Sequence, residues 1–489
     1  MAEDDPFGGI IEQFYPYRKR LRVYDHLDAE PRARDSILAE LRGLAAEEDA
    51  LGDAGRCSGS VYSGDHAHYH FLASAFEAFA HANVLQRDMY PSANKLEGEI
   101  VAMTLGMLNA ESVAEHHPDE EPCGLLTGGG SESLISALLA YRERARDVGV
   151  TEPNVVIPRT AHVALDKGAH YFGIEVRHAP VREDFLVDVD WVREHIDDST
   201  IALVGSAGSY PYGLIDPIEE LGELAAERGI GLHVDGCLGG FLLPWGERLG
   251  SRRPGPPIPP WDFRVPGVTS ISADSHKYGY GLKGTSVLLY RDKDLRRYQY
   301  FTAPDWPGGL YLSPGMSGSR SGGLIAATWA AMVSLGESGY LDRAERIFAT
   351  AHAMRKGIED IGELRVLGDP TFLVAFTTAG SPDDPHDPDA LDIFHVNDAL
   401  VERGWRLNGL HLPPALHFCV TLPNTRPGLV EEFLADLRDA VAYARSPARE
   451  KPLSGALYGF GGTPEGNETL SGLLAMGLDM MYALPPKDE

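Results

Sequence analysis

Between residues 123 and 343, short apolar runs alternate with longer segments that have helical spacing, and this alternation limits the possible folds more than any other feature. The apolar runs are CGLLT (123–127), NVVIP (154–158), IALVG (201–205), IGLHV (230–234) and SVLLY (286–290). The helical segments are 131–146, 216–228 and 322–336. Short strands that alternate with helices indicate an open, mostly parallel sheet with helices on both faces. The sequence therefore predicts an α/β fold.

The helix at 216–228 has the clearest boundaries. We expect Asp216 to cap it, Pro217 to occupy its first turn and Gly229 to end it. Further helical spacing precedes the alternating region at 31–50, 70–83 and 95–109. We predict three parts, which are an N-terminal helical segment (1–95), a large α/β domain (96–345) and a smaller C-terminal α+β domain (346–489).

The charge balance excludes two classes of partner. The 489 residues contain 43 Lys and Arg against 72 Asp and Glu, a net charge of −29. Such a chain has no basic field with which to bind nucleic acid or an anionic membrane surface. The N-terminus, MAEDDPFGG, does not read as a signal peptide, and no apolar run is long enough to span a bilayer. We expect a cytoplasmic protein without a membrane anchor.

The sequence does not predict a metal site. The cysteines Cys57, Cys123, Cys237 and Cys419 are far apart and form no CxxC pair, so we expect free thiols. The run HAHYH (66–70) resembles a set of metal ligands. Histidines that alternate across a loop are, however, more often surface residues, which is the interpretation we prefer.

A glycine-rich turn, TGGGSES (127–133), separates a predicted strand from a predicted helix. Glycines let the backbone approach an anion closely, and the helix N-terminus offers free N–H donors and the positive end of its dipole. We expect Ser131 to cap this helix. The turn fits a phosphate cup, although a glycine turn before a helix is more often only a turn. It is not a P-loop, because no Gly-Lys-Ser/Thr follows.

Two later segments carry charged groups with alternative interpretations. Asp235 follows an apolar strand in HVDGCLGGF (233–241), at the strand end where α/β sheets bind ligands. It is either a capping residue or a buried carboxylate that pairs with a protonated ring nitrogen. In SADSHKYGYGLKG (272–284), desolvation would lower the pKa of Lys277 and make it a nucleophilic amine. Lys283 is a second cation for an anionic substrate group, and the alternative for either lysine is a solvated surface position.

The order of these motifs decides between the alternatives. His162 follows the predicted strand 154–158, where it is either a structural histidine or a ring that stacks on a flat cofactor. A phosphate cup, a stacking histidine, a strand-end Asp and a Lys then follow one another along the chain. This is the order expected for pyridoxal 5′-phosphate (PLP) on the aspartate-aminotransferase-like fold, the PLP-dependent transferase fold type I.

Longer stretches of the chain resemble the sphingosine-1-phosphate lyase family, within the group II PLP-dependent decarboxylases. The matching stretches are CGLLTGGGSESL, GLIDPIEELGELA, LHVDGCLGGFL, FRVPGVTSISADSHKYGYGLKGTSVLLY, DWPGGLY, GSRSGG and GWRLNGLHLPPALHFCVTL. The stretches SADSHKYGYGLKG and DFRVPGVTSIS favour the lyase branch over the other decarboxylases. Without an N-terminal anchor, the chain is similar to the soluble bacterial members.

The resemblance implies a role for each motif residue. Lys277 is the Schiff-base lysine, Asp235 pairs with the pyridinium nitrogen, and His162 stacks on the cofactor ring. The remaining cofactor-binding residues are Gly129, Gly130, Ser131, His276 and Ser319. The substrate-binding residues are Lys283, Tyr62, Asn83 and Gln86, and Tyr210 is a further catalytic residue. The resemblance also implies a homodimer whose sites use both subunits, with residues 1–55 wrapping the partner.

One position departs from the family pattern. Where the family reads Asn-x-Leu-His-x-Asp, this chain has NVLQRD, with Gln86 in place of the histidine that helps to hold the substrate phosphate. Loss of a charge-assisted contact costs about 1.5–3 kcal/mol of binding. We expect the neighbouring Arg87 to be able to compensate.

The resemblance implies a carbon–carbon lyase that acts on a phosphorylated long-chain amino alcohol of the sphingosine 1-phosphate type. A retro-aldol step would yield a fatty aldehyde and phosphoethanolamine, with Lys277, Tyr210 or a phosphate oxygen as the base. Gln86 keeps a second hypothesis open, an amino-acid decarboxylase on the same scaffold. A binding protein without activity is disfavoured, because Lys277, Asp235 and His162 are all present.

Overall fold

The computed structural model describes residues 16–17, 20–380, 391–446 and 464–482, with side chains of the last helix from residue 470 onward. Its largest sheet has seven strands: β1 Cys123–Thr127, β2 Asn154–Pro158, β3 Glu175–Ala179, β4 Thr200–Ser206, β5 Gly231–Asp235, β6 Ser270–Ala273 and β7 Ser286–Tyr290. Their spatial order is β1–β7–β6–β5–β4–β2–β3. Strand β7 is antiparallel to both neighbours, and the other six strands run in one direction. The predicted α/β fold with a mostly parallel sheet is confirmed.

Five of the seven strands lie where the apolar runs predicted them, and β3 and β6 were not predicted. Strand β3 has the sequence EVRHA and is partly exposed at the edge of the sheet, so it has no continuous apolar run. Strand β6 is fully buried, but its four residues, SISA, include two serines. Both strands are held by pairing with neighbours that the local sequence does not reveal.

The helices are α1 Arg34–Asp53, α2 His66–Ala78, α3 Ser92–Met107, α4 Val113–His116, α5 Gly130–Asp147, α6 Ala164–Phe172, α7 Val189–Glu194, α8 Ile218–Arg228, α9 Leu243–Leu249, α10 Lys293–Arg297, α11 Gly322–Glu359, α12 Ile393–Glu402, α13 Leu429–Arg445 and α14 Pro464–Met481. One face of the large sheet packs against α5 and α6. Helices α3, α8 and α9 share a separate apolar cluster with the other face. Every helix in the described part of the chain is too short or too polar to cross a bilayer.

Helix α11 connects the large sheet to a smaller one. Its helical geometry is interrupted at Gly336, where φ is 55° and ψ is −177°, and the predicted helix 322–336 ends at this interruption. The smaller sheet is antiparallel, in the order β10–β11–β13–β12, and comprises β10 Leu364–Val366, β11 Leu373–Thr378, β12 Asn408–His411 and β13 Pro414–Cys419. A two-stranded hairpin, β8 Phe301–Ala303 and β9 Tyr311–Ser313, precedes α11. The three-domain division stays a prediction.

The predicted cap of α8 was wrong. Helix α8 begins after Pro217, while the carboxylate of Asp216 accepts hydrogen bonds from the backbone N–H groups of Ser206, at 2.8 Å, and Val187, at 3.3 Å. Asp216 is buried, and this burial raises its pKa to about 6. The residue therefore ties the end of β4 to the chain before α7. Gly229 ends α8 with φ at 67°, as predicted.

The HAHYH run lies on α2, whereas we had expected a loop. Asp65 caps this helix by accepting hydrogen bonds from the backbone N–H groups of Ala67, at 3.0 Å, and His68, at 3.2 Å. The His68 Nε2 atom is 2.8 Å from the carbonyl oxygen of Tyr280. Within the described ranges, no group of three or more His, Cys, Asp or Glu side chains could hold a metal ion.

Candidate active site

The parallel strands bring the predicted motifs to one edge of the large sheet. Strand β1 ends at Thr127, where the glycine turn begins, and β5 ends at Asp235, which pairs in register with Ser272 of β6. His162 follows β2, and Lys277 follows β6 by a short turn. The carboxyl ends of parallel strands in an open α/β sheet form the usual ligand site.

A cavity of about 470 Å³ opens at this edge. It is lined by Gly128, Gly129, Gly130, Ser131, Glu132, Leu134, His162, Cys237, Asp274, His276 and Lys277. Six of the predicted site residues are in this set. Residues that are more than 140 positions apart in the sequence therefore share one chamber.

The glycine turn forms a cradle that side chains would fill if the glycines were replaced by other residue types. Gly129 is the N-cap of α5 and has φ at 144°, a conformation that favours glycine. A Cβ atom on Gly130 would lie 2.7 Å from Oδ2 of Asp274 and 3.0 Å from the sulfur of Cys237. The first N–H groups of α5 have no intrahelical acceptor. The close backbone approach and these donors fit the phosphate of a cofactor.

Ser131 does not cap α5, contrary to the prediction. The N-cap is Gly129, and Ser131 is an exposed residue in the first turn. The side chain of Glu132 bends back instead, and its Oε2 atom accepts a hydrogen bond from the backbone N–H of Gly128 at 2.7 Å. Ser131 still lines the cavity.

Lys277 forms an ion pair inside the cavity. Its Nζ atom is 2.9 Å from Oδ2 of Asp274, a carboxylate that is only 2% exposed. Burial lowers the pKa of Lys277, but its neighbours Asp274, Cys237 and Tyr62 together outweigh burial and raise this pKa. The prediction that desolvation lowers the pKa of Lys277 was wrong, because it did not include Asp274 and the other neighbouring groups.

Asp274 is the site residue that the sequence interpretation missed. Its Oδ1 atom is buried and has no hydrogen-bond partner among the described residues. His276 lies on the other side, with Nε2 at 3.6 Å from Oδ2 of Asp274 and Nδ1 at 2.5 Å from the carbonyl oxygen of Thr285. Burial lowers the pKa of His276. The sequence signal that could have identified Asp274 is its position directly after a strand and three residues before Lys277.

Asp235 is not among the residues that line this cavity, but it contacts Cys237, which is. Its Oδ1 atom accepts a hydrogen bond from the backbone N–H of Cys237 at 2.9 Å, and the hydroxyl of Ser272 is 3.4 Å away. Ser272 also contacts Nε2 of His233, at 3.2 Å, and burial lowers the pKa of His233 to about 4. The histidine is therefore neutral at physiological pH. Asp235 is therefore a buried hydrogen-bond acceptor that contacts Cys237 of the cavity wall.

Aromatic rings lie next to His162, which lines the cavity. The ring centroids of His162 and Tyr210 are 6.4 Å apart in an edge-to-face arrangement, and Tyr210 is 5.0 Å from the ring of His417. His417 is buried in the small sheet, and this burial lowers its pKa to about 4. Tyr210 is half-exposed. The structure thus places Tyr210 next to the ring predicted to stack on the cofactor.

Lys283 and Tyr62 lie against each other. The Nζ atom of Lys283 is 4.7 Å from the centroid of the Tyr62 ring, a cation–π contact. Burial and the nearby charge of Lys277 both lower the pKa of Lys283. Tyr62 is buried, and its ring packs on the edge of Tyr278 at 5.0 Å. Two of the predicted substrate residues are therefore in contact.

Asn83 and Ser319 also meet, although 236 positions separate them. The amide nitrogen of Asn83 donates a hydrogen bond to the hydroxyl of Ser319 at 3.0 Å. Ser319 lines a cavity of about 160 Å³ together with Gly128 and Glu132 of the glycine turn. Gln86 is exposed on the same loop as Asn83.

Arg87 is bound to Glu97 and Asn94. Our expectation that it compensates for the missing histidine was therefore wrong for this conformation. Its guanidinium pairs with the buried carboxylate of Glu97 and donates to Asn94 Oδ1 at 2.5 Å. Glu97 also accepts hydrogen bonds from Arg320 at 2.8 Å and from the backbone N–H of Leu126 at 3.0 Å. This buried carboxylate joins the Asn83 loop and the Ser319 segment to the end of β1.

Comparison with known proteins identifies the class of enzyme. Residues 62–378 match the model of the pyridoxal-dependent decarboxylase conserved domain. The match agrees with a glycine cradle beside a partly buried lysine at the carboxyl edge of a mostly parallel sheet. The chain is a PLP-dependent enzyme of the decarboxylase fold.

Relatives that match most of the chain identify the family within this class of enzyme. The chain is 45% identical to the sphingosine-1-phosphate lyase of Oryza sativa subsp. japonica over 436 residues, which are 88% of this chain and 76% of that protein. It is 43% identical to the sphingosine-1-phosphate lyase of Arabidopsis thaliana, with 96% of this chain and 86% of that protein covered. The structure of the Burkholderia pseudomallei sphingosine-1-phosphate lyase matches with a TM-score of 0.88 and 48% identity, covering 96% of this chain and 100% of that one. The chain belongs to the sphingosine-1-phosphate lyase family.

The Glu97 cluster predicts a large loss of stability on mutation. Replacing Glu97 by Ala leaves Arg320 and Arg87 without their carboxylate, and breaking a buried pair in this way costs about 3–5 kcal/mol. We expect Glu97→Ala to lower the free energy of unfolding by about this amount in urea titrations. The control is Glu223→Ala on the exposed face of α8, for which we expect a change within about 0.5 kcal/mol. Equal effects of the two changes would contradict the prediction.

Proposed function

We propose that this protein cleaves a phosphorylated long-chain amino alcohol of the sphingosine 1-phosphate type into a fatty aldehyde and phosphoethanolamine. One observation carries the proposal: Lys277, the glycine cradle and His162 line a single cavity in a chain of the sphingosine-1-phosphate lyase family. The reaction breaks a carbon–carbon bond next to an amine, which requires an electron sink. Bound PLP supplies that sink through its ring.

The residues of the cavity suit this cofactor in kind and position. We assign Lys277 as the residue that binds the cofactor covalently, with its phosphate held by Gly129, Gly130, Ser131 and His276. His162 would stack on the ring. Asp235 would hold the proton of the ring nitrogen, which favours its cationic form. Ser319 is assigned to the phosphate side, because it borders the glycine turn.

The substrate phosphate is assigned to Lys283, together with Tyr62, Asn83 and Gln86. The burial that lowers the pKa of Lys283 also strengthens its attraction for an anion. Gln86 can donate a hydrogen bond but adds no charge. We assign Tyr210 to hold or move a proton during the reaction, because its ring lies beside that of His162.

An amino-acid decarboxylase remains the second candidate, and it rests on Gln86 alone. In that case the α-carboxylate would leave as carbon dioxide and no aldehyde would form. The two reactions are separated by their products, so one experiment tests both.

We further propose that the enzyme acts as a cytoplasmic homodimer. The β8–β9 hairpin and its turn expose Trp306, Leu310 and Leu312, with Leu310 81% exposed. Apolar residues that cluster in this way mark protein interfaces. Residues 1–55 are proposed to wrap the partner, and residues 1–15 and 18–19 of this segment lie outside the described part of the chain.

We expect the purified holoenzyme to release a long-chain aldehyde and phosphoethanolamine in equal amounts from sphingosine 1-phosphate, measured by mass spectrometry. Lys277→Ala should abolish both this release and the covalent retention of PLP after borohydride reduction, because the amine that binds the cofactor is missing. Lys167→Ala, at an exposed lysine of α6, is the control. Carbon dioxide release from amino acids, without aldehyde formation, would instead favour the decarboxylase.

We expect Lys283→Met to weaken recognition of the substrate phosphate. Loss of a charge-assisted contact of about 1.5–3 kcal/mol predicts a fall in kcat/KM of about tenfold to a hundredfold, mainly through KM. Steady-state kinetics with sphingosine 1-phosphate measure this effect. Lys293→Met removes an exposed lysine that pairs with Glu121, and it should leave KM unchanged. A KM for Lys283→Met equal to that of the wild type would exclude this role.

Light scattering should give a mass of about twice the chain mass of 53.1 kDa. Leu310→Asp should weaken dimerisation about tenfold or more, since a charge would enter an apolar contact. Val148→Asp, at another exposed apolar residue, should leave the mass unchanged. A stable monomer with full activity would count against the dimer.

A further inference from the structure

Strand β13 of the small sheet presents alternate side chains to the active site. Successive residues of a strand point to opposite faces, so His417 and Cys419 share one face. The ring centroid of His417 is 5.0 Å from that of Tyr210, which in turn lies beside His162 of the cavity. The sulfur of Cys419 is 3.3 Å from the hydroxyl of Tyr278, the residue that follows the site lysine. One face of this strand therefore borders the site.

The ring of His417 has a hydrogen-bond partner at each nitrogen. Its Nδ1 atom is 3.1 Å from the carbonyl oxygen of Pro211, and its Nε2 atom is 3.0 Å from the amide nitrogen of Asn408. Because a carbonyl oxygen can only accept, Nδ1 carries the proton and Nε2 accepts from Asn408. The ring is therefore a neutral imidazole, in agreement with the lowered pKa that burial gives His417.

The side chain of Asn408 is oriented by a further contact. Its amide nitrogen also donates to the hydroxyl of Ser58 at 2.9 Å, and this hydroxyl accepts from the backbone N–H of Cys419 at 2.9 Å. The Ser58 hydroxyl donates to the backbone carbonyl oxygen of His417 at 3.3 Å. The hydrogen bonds therefore lead in one direction, from Asn408 through the ring of His417 to Pro211.

Pro211 directly follows Tyr210 in the loop that connects β4 to α8. A proline has no backbone N–H, so its carbonyl oxygen is its one backbone hydrogen-bonding group. The next residue, Tyr212, donates from its hydroxyl to the carbonyl oxygen of Leu412, which lies between β12 and β13. The small sheet therefore holds this loop at the two residues that follow Tyr210.

We propose that His417 is a positioning residue of the lyase reaction, because it holds the loop at Pro211 and fixes the ring of Tyr210. This inference rests on the proposed function, in which Tyr210 holds or moves a proton. A half-exposed tyrosine has several accessible rotamers. Edge-to-face contacts with His417 on one side and His162 on the other select one of them. The small sheet thereby orients a group whose partners lie on the large sheet.

Amide hydrogen exchange of the holoenzyme, followed by mass spectrometry, tests the contact with the loop independently of activity. The backbone N–H groups of Gly208, Ser209 and Gly213 donate to carbonyl oxygens within this loop, so their exchange reports on its opening. We expect His417→Ala to speed exchange in residues 207–214 about tenfold, because the loop loses a buried hydrogen bond. Exchange equal to that of the wild type would overturn the proposal.

Two amide variants and one control separate this contact from a general loss of stability. The amide nitrogen of His417→Asn occupies about the position of Nδ1 and can donate to Pro211, whereas that of His417→Gln extends toward the position of Nε2. We expect slow exchange with Asn and fast exchange with Gln, and this pair decides the test if His417→Ala does not fold. His395→Ala removes another buried histidine, on α12, which also packs against β13, and should leave exchange in 207–214 unchanged. Faster exchange in His395→Ala equal to that in His417→Ala would contradict a specific contact.

Steady-state kinetics with sphingosine 1-phosphate test the positioning role. We expect His417→Ala to lower kcat about tenfold to a hundredfold and to change KM by less than about twofold, because a displaced group slows the reaction more than it weakens binding. Tyr210→Phe should also lower kcat. Adding His417→Ala to Tyr210→Phe should lower kcat no further, since residues that act as a unit have non-additive effects.

Two kinetic results would overturn the proposal, which are a wild-type kcat in Tyr210→Phe and an equal loss from His417→Ala with and without the Tyr210 hydroxyl. Partial recovery of kcat in His417→Asn, but not in His417→Gln, would support it. If the wild type releases no aldehyde, the proposed function fails. The exchange profile still shows in that case whether His417 holds the loop.

Discussion

The site depends on the common direction of six strands in the large sheet. Because β1 and β6 both pair with the antiparallel β7, they run parallel to each other, and their carboxyl ends lie at the same edge as that of β5. The glycine turn, Asp235 and the turn that carries Lys277 follow these three ends. Reversal of any one strand would move its motif to the opposite edge, more than a strand length away.

Two buried carboxylates at this edge, Asp274 and Glu97, form ion pairs. Asp274 pairs with Lys277, and Glu97 binds Arg320 and Arg87. An isolated buried charge is costly, and each group is tolerated because its members neutralise one another. The Glu97 cluster aligns the segments that present Asn83 and Ser319. The Asp274 pair instead includes Nζ of Lys277, the atom that we propose binds the cofactor.

The net charge of −29 contrasts with a cavity suited to phosphate groups. A strongly acidic chain repels anionic ligands at long range, and salt screens this repulsion within about 8–10 Å. Attraction therefore has to be local. We propose that the backbone N–H groups at the start of α5 and the cation of Lys283 provide it. Arg87 does not contribute in this conformation, because Glu97 binds it.

The sequence by itself determined the α/β fold, five of the seven strands and the motifs that identify a PLP-dependent enzyme, since apolar periodicity and glycine turns are local properties. It did not reveal β3 and β6, which depend on pairing with distant strands, or the cap of α5. Only the tertiary structure decided the charge on Lys277 and the engagement of Arg87. Asp274 and Glu97 reach these cations through packing, and the strength of an ion pair depends on its distance and burial and not on sequence spacing.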